Sequence, residues 1–218
     1  EGNFFTIEEY KEKIKALQTD KNNRLVCIYA NNIKEQYSYV ESAKAYGYDV
    51  LVFDTMIDNH FMQHLEYKGE NMTFVRVDSD TVDHLVQKDE KKDSVLSEAD
   101  QTKVKDIFTT AIGDLKGGHI ELKALSPEDH PVLITKPEFM RRMKEMQMMQ
   151  GMDNDMFGDM HNVVINTNHP LISSKLLGAD DEKSKEIADY LHKLALIQQN
   201  MLKGEDLSNF VKKSIEKV

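Results

Sequence analysis

The chain has 218 residues, 40% hydrophobic and 30% charged, which is enough apolar content for one large domain or two small ones with separate cores. Its formal net charge of −10, with no basic cluster, argues against nucleic acid as a partner, because phosphate backbones would be repelled. No run approaches the roughly 20 apolar residues needed to cross a bilayer, which argues against a membrane partner. No signal-peptide pattern opens the chain, and the lone Cys27 cannot form an internal disulfide; both point to a reducing, cytoplasmic setting.

The first eighty-odd residues alternate helix and strand signals. Thr6-Ile7-Glu8-Glu9 opens a helix with a capping-box pattern, and Tyr10, Ile14 and Leu17 extend its apolar stripe. Leu25 to Ala30 reads as a strand buried on both faces, with Cys27 as a small buried hydrophobe. Glu35 to Tyr46 reads as a helix stopped by Gly47, and Asp49 to Phe53 as a second buried strand. Asp58 to Tyr67 reads as a helix ended near Gly69, and Thr73 to Val77 as a third strand. This order predicts a small parallel-sheet α/β unit over residues 1–86. Gln87 to Asp93 is a mixed charge run without an apolar face, and the boundary falls there.

The second unit, residues 95–218, has an α+β grammar. Asp100 to Leu115 carries Val104, Ile107, Phe108, Ala111 and Ile112 on one helical face. Ile120 to Leu125 alternates like a half-exposed strand, Pro131 to Thr135 is expected as its antiparallel neighbour, and Val163 to Ile165 is a third strand. Between the last two strands lie eight of the twelve methionines, from Met140 to Met160. Phe139, Met140, Met143 and Met146 share one helical face, while Met148, Met149 and Met152 project elsewhere. Spacing leaves two readings open: an adaptable apolar binding surface, or a core helix followed by loose residues. Asp181 to Lys203 reads as a long helix broken at Gly204, with Ile187, Leu191, Leu194, Met201 and Leu202 among its apolar positions. Leu207, Phe210, Val211 and Ile215 stripe a shorter closing helix. Such a pair packs either on its own domain or on the same pair from a second copy, as a four-helix bundle.

No P-loop, dinucleotide glycine fingerprint or nucleophile elbow is present. His60 and His64 have metal-pair spacing, but position 61 is Phe, so the glutamate of a zinc-protease helix is missing and two boundary histidines are the better reading. Asp129-His130-Pro131 and Asn168-His169-Pro170 suit loops or caps. No catalytic residue and no metal site are assigned.

Several segments in order resemble the heat-shock protein 90 family of molecular chaperones, in its bacterial form. They are Thr6-Ile7-Glu8-Glu9-Tyr10, then Tyr46-Gly47-Tyr48-Asp49-Val50-Leu51 with Ile57-Asp58, then Met140-Arg141-Arg142-Met143-Lys144, then Asn166-Thr167-Asn168-His169-Pro170-Leu171-Ile172, and finally Ala195 through Phe210. The resemblance implies the end of the family's middle domain (1–86) followed by its C-terminal dimerisation domain (95–218). It implies a homodimer, paired through Ile187, Leu191, Leu194, Met201, Leu202, Leu207, Phe210, Val211 and Ile215. It further implies partly unfolded clients as partners, met by Phe139, Met140, Met143, Met146 and Met149, with His60, Phe61 and Gln63 opposite. ATP and magnesium would belong to upstream parts of the intact protein, so no ATPase activity and no cofactor are expected of this chain. His60 replaces a large aromatic common at that family position, and Thr167 replaces a proline. The rival reading from a different class is an α/β ligand-binding or enzyme domain joined to an oligomerisation module.

Overall fold

The computed structural model describes residues 4–68, 71–88, 92–115, 117–138, 142 and 160–216. The chain divides into two compact units, 1–91 and 92–218.

The first unit is α/β. It runs α1 (Ile7–Ile14), β1 (Leu25–Ala30), α2 (Tyr37–Ala45), β2 (Val50–Val52), α3 (Met56–Tyr67), β3 (Met72–Arg76) and α4 (Val82–Leu85). The sheet is parallel in the order β2-β1-β3, with Ile28 opposite Val50 and Cys27 opposite Phe74. β1 is central and alternates strictly. Val26, Ile28 and Ala30 pack with Tyr39, Val40 and Ala43 of α2, while Cys27 and Tyr29 pack with Ile14, Met62 and Leu65 on the other face. Both faces of the sheet are therefore covered, as the apolar run in β1 demands. Asp49 to Phe53 proves different from the expected buried strand. Only Val50–Val52 pairs, and it lies partly exposed at the sheet edge, because a three-stranded sheet has one interior position and β1 holds it.

Local chemistry sets the ends of these elements. The Thr6 amide donates to Glu9 Oε2 (2.7 Å) and the Glu9 amide to Thr6 Oγ1 (3.2 Å), a complete capping box. Gly47 ends α2 at φ 79°, with the Tyr48 amide donating back to the Ala43 carbonyl. Buried Gln18 ties α1 to the sheet: its Nε2 donates to the Val26 carbonyl (2.8 Å) and its Oε1 accepts from the Asp49 amide (2.7 Å).

The second unit runs α5 (Glu98–Ile112), β4 (Ile120–Lys123), β5 (Val132–Thr135), β6 (Asn162–Asn166), α6 (Leu171–Leu176, a π-helical stretch), α7 (Asp181–Gln198) and α8 (Gly204–Ile215). Its sheet order is β4-β6-β5, parallel on the β4 side and antiparallel on the β5 side. The expected direct pairing of the strands now numbered β4 and β5 is thus corrected: β6 lies between them. All five residues of β6 are buried, so it takes the interior position where both backbone edges are bonded, and the half-exposed β4 goes to the rim. Val104 and Phe108 of α5, Ile172 and Leu176 of α6, and Ala188, Leu191 and Ala195 of α7 converge on Val163 and Ile165.

The helix expected over 181–203 is shorter. α7 stops at Gln198, and Asn200 adopts φ 53°. The Asn200 amide donates to the Ile197 carbonyl and the Met201 amide to the Leu196 carbonyl, a Schellman closure with asparagine in the glycine position. Gly204, expected as the breaker, is instead the first residue of α8.

Candidate functional site

In the second unit, α7 begins where Asp180 accepts a bond from the Lys183 amide (2.8 Å), with Asp181 and Glu182 favourably placed in the first turn. Ser184, Ala188, Leu191, His192 and Ala195 form its inward face. Leu191, expected on a partner-facing stripe, is buried in the core of its own unit. Ile187 and Met201 lean partly buried on the same core, and Leu202 is buried. α8 buries only Phe210, which meets Tyr190 of α7 with ring centroids 5.1 Å apart.

That single anchor leaves an apolar ridge uncovered. Leu207, Val211 and Ile215 follow one another at i, i+4 on α8, and they are 36%, 46% and 69% exposed; Leu194 on α7 is 39% exposed. Of the nine residues expected to pair with a second copy, these four are the exposed ones. Lys212 and Lys213 occupy the last turn of α8, where a cation suits the helix C-terminus.

The first unit offers a second apolar surface on α3. Met62 and Leu65 face inward, so His60, Phe61 and Gln63 face solvent. Phe61 is 44% exposed, yet it is not isolated. Its ring meets Phe53 edge-on at 6.3 Å, and Phe53 in turn lies 5.8 Å from both Tyr29 and Phe74. Phe61 is thus the outer end of an aromatic cluster rooted in the core, a rigid apolar feature at small entropic cost. Exposed Ile57, one turn earlier, and Val52 on the edge strand were missed in the sequence. Ile57 was legible at i−4 from Phe61, whereas Val52 needed β2 to be known as an edge. The expected surface residues Phe139, Met140, Met143, Met146 and Met149 lie outside the described residues.

The turn from β2 to α3 does not suit a phosphate. The residues after β2 are Phe53-Asp54-Thr55, without glycine, and the Thr55 amide at the start of α3 donates to Asp58 Oδ2 (2.8 Å). The position an anion would take there is filled by the protein's own carboxylate.

A polar network organises the tip of the second sheet. Fully buried Asn166 accepts from the Leu125 and Asn168 amides and donates to the Ser126 carbonyl (2.7 Å). Asn168 accepts from the Val95 amide and donates to the Asp93 carbonyl, which fixes the segment entering the unit. His169 Nδ1 accepts from the Leu171 amide (3.1 Å), a capping role at the start of α6. The sequence reading assigned this histidine to a loop or cap but missed the buried asparagine beside it.

Comparison with known proteins places this architecture. A family model described as Hsp90 protein matches residues 1–218, the whole chain. The chain belongs to the Hsp90 family. Among similar proteins is the chaperone protein HtpG of Bacteroides fragilis (strain YCH46), 35% identical over 286 residues that cover 99% of this chain and 42% of the relative. The HtpG of Bacteroides thetaiotaomicron is 35% identical over 282 residues, covering 97% of this chain and 41% of the relative. That of Porphyromonas gingivalis is 35% identical over 201 residues, covering 89% and 29%. This Hsp90-family chain therefore spans well under half the length of the curated relatives it matches. No described helix is long and apolar enough to cross a membrane.

Proposed function

We propose that this chain is the part of a bacterial Hsp90-family chaperone that pairs with a second copy and holds partly unfolded client proteins. The observation that carries the reading is the uncovered ridge Leu194, Leu207, Val211 and Ile215 on two consecutive helices of a family member. An apolar ridge on a helix anchored by one aromatic residue gains most by packing on its own twofold copy, as a four-helix bundle. On this reading residues 1–86 complete the middle domain and residues 95–218 form the dimerisation domain. The protein works in the cytoplasm, with neither nucleic acid nor membrane as a partner.

Client contacts are assigned to two surfaces, one on each unit: Phe61, with His60 and Gln63 beside it, and the sequence-assigned Phe139, Met140, Met143, Met146 and Met149. Methionine side chains are polarizable and adapt to many apolar shapes, so recognition is hydrophobic rather than sequence-specific. In the intact protein ATP and magnesium bind upstream of this chain; no chemical step is assigned to the residues here. Pairing holds the two upstream arms at high effective concentration.

Light scattering at low micromolar concentration tests the pairing. A dimer mass that falls to a monomer in a folded Ile215→Asp chain supports the reading; a monomer of the unaltered chain refutes it. For clients, Met143→Ser with Met146→Ser should weaken suppression of a model protein's aggregation at nearly unchanged Tm. A large drop in Tm would show that these methionines are core.

A further inference from the structure

We propose that the His161–His192 stack is an acid-sensitive latch that holds α7 against the sheet of the second unit. Of the five residues on the inward face of α7, only His192 can acquire a charge near neutral pH. Its ring lies 6.5 Å from that of His161, centroid to centroid, at an interplanar angle of 17°. His161 stands immediately before β6, so the stack joins α7 to the central strand. His192 is nearly inaccessible, and its buried Nε2 has no hydrogen-bond partner among the described residues.

The charged and titratable groups facing His192 are His161 from the sheet side, and Asp189 and Lys193 from α7 itself. Asp189 and Lys193 bond to each other at 2.7 Å, so the one nearby carboxylate is already shared with a lysine. Among the described residues, a proton on His192 would sit in an apolar site beside a second imidazole, the nearby carboxylate of Asp189 being already bonded to Lys193. Burial therefore pushes His192 down to about 4, and His161 pushes in the same direction.

The sign follows from linkage. Above the ordinary histidine range both the packed and the released helix carry neutral His192, and the latch is at full strength. Between about pH 6.5 and pH 4 the released state takes up a proton that the packed state refuses, so packing weakens as pH falls. At pH 5 the release equilibrium should favour the open state about twenty-fold more than at pH 7. Because α7 carries Leu194 and leads directly into α8, release also disorganises the apolar ridge. The inference concerns packing within one chain and holds whether or not the chain pairs.

Hydrogen exchange on the full chain tests it, with β1 amides of the first unit as internal control and rates corrected for intrinsic pH dependence. The expected result is that α7 amides lose about twenty-fold protection between pH 7 and pH 5, and that His192→Leu abolishes the excess loss. If His192→Leu does not fold, His161→Gln serves instead: without the second imidazole the packed state takes up the proton more readily, so the loss of protection by pH 5 should be smaller than in the wild-type chain. Equal acid sensitivity of α7 in the wild-type chain and in the variant that folds would overturn the proposal. So would a His192 ring that titrates near 6.5 by NMR while α7 stays protected.

Discussion

Ile215→Asp is the sharpest test of the ridge on α8. The four ridge side chains are 69%, 46%, 39% and 36% exposed, which together amount to about two fully exposed aliphatic side chains per chain. At about 1.5–3 kcal/mol for each, burying both copies of the ridge contributes roughly 6–12 kcal/mol. The opposing loss of rotational and translational freedom is on the order of 4–15 kcal/mol, so a dimer at low micromolar concentration, about −8 kcal/mol, needs nearly all of the ridge and a single change should move it visibly. Ile215 supplies about a third of the exposed ridge, so its loss from both copies removes about 2–4 kcal/mol, before any cost of burying two carboxylates. The dissociation constant should rise by roughly 30-fold to 1,000-fold. Sedimentation equilibrium over a dilution series measures it directly. Tm extrapolated to the monomer should hardly move, because a side chain this exposed makes few contacts within its own chain. An unchanged dissociation constant in a folded Ile215→Asp chain would refute the assignment of the ridge to pairing.

Three other changes separate surface from core. Phe61→Ser should lower stability by only about 1–2 kcal/mol, given its half-exposed ring, yet reduce suppression of a client's aggregation at equal chaperone concentration. Asn166→Ala should cost about 2–4 kcal/mol by urea unfolding, because it strands the Leu125 amide and the Ser126 carbonyl in a buried site. Asp78→Ala should cost about 3–5 kcal/mol, read as a lower urea midpoint, because it leaves the buried guanidinium of Arg76 without the carboxylate it now grips through Nε and Nη2.

Much of this architecture is local and therefore legible in the chain. The capping box at Thr6 and Glu9, the left-handed stop at Gly47 and the buried run Val26 to Ala30 around Cys27 each follow from the chemistry of a few neighbouring residues. The two units and the charge-rich stretch between them are likewise written in composition. The outward-facing residues His60, Phe61 and Gln63 could be placed on one helix, but their backing by Phe53 could not.

What only the tertiary structure decided concerns choices among residues of equal local character. Ile187, Leu191 and Leu194 are all aliphatic positions of one helix; packing against α5 and β5 takes Leu191 into the core and leaves Leu194 partly outside. Val50 to Val52 and Val163 to Ile165 are both short aliphatic runs, yet one is an edge and the other a centre. Asn200, not Gly204, ends α7, because Met201 and Leu196 both pack on the core and draw the chain into a left-handed turn there. Hydrophobicity states that a side chain will leave water if a surface is offered; the sequence of this protein supplies that demand, and the arrangement of the other elements determines which side chains meet it.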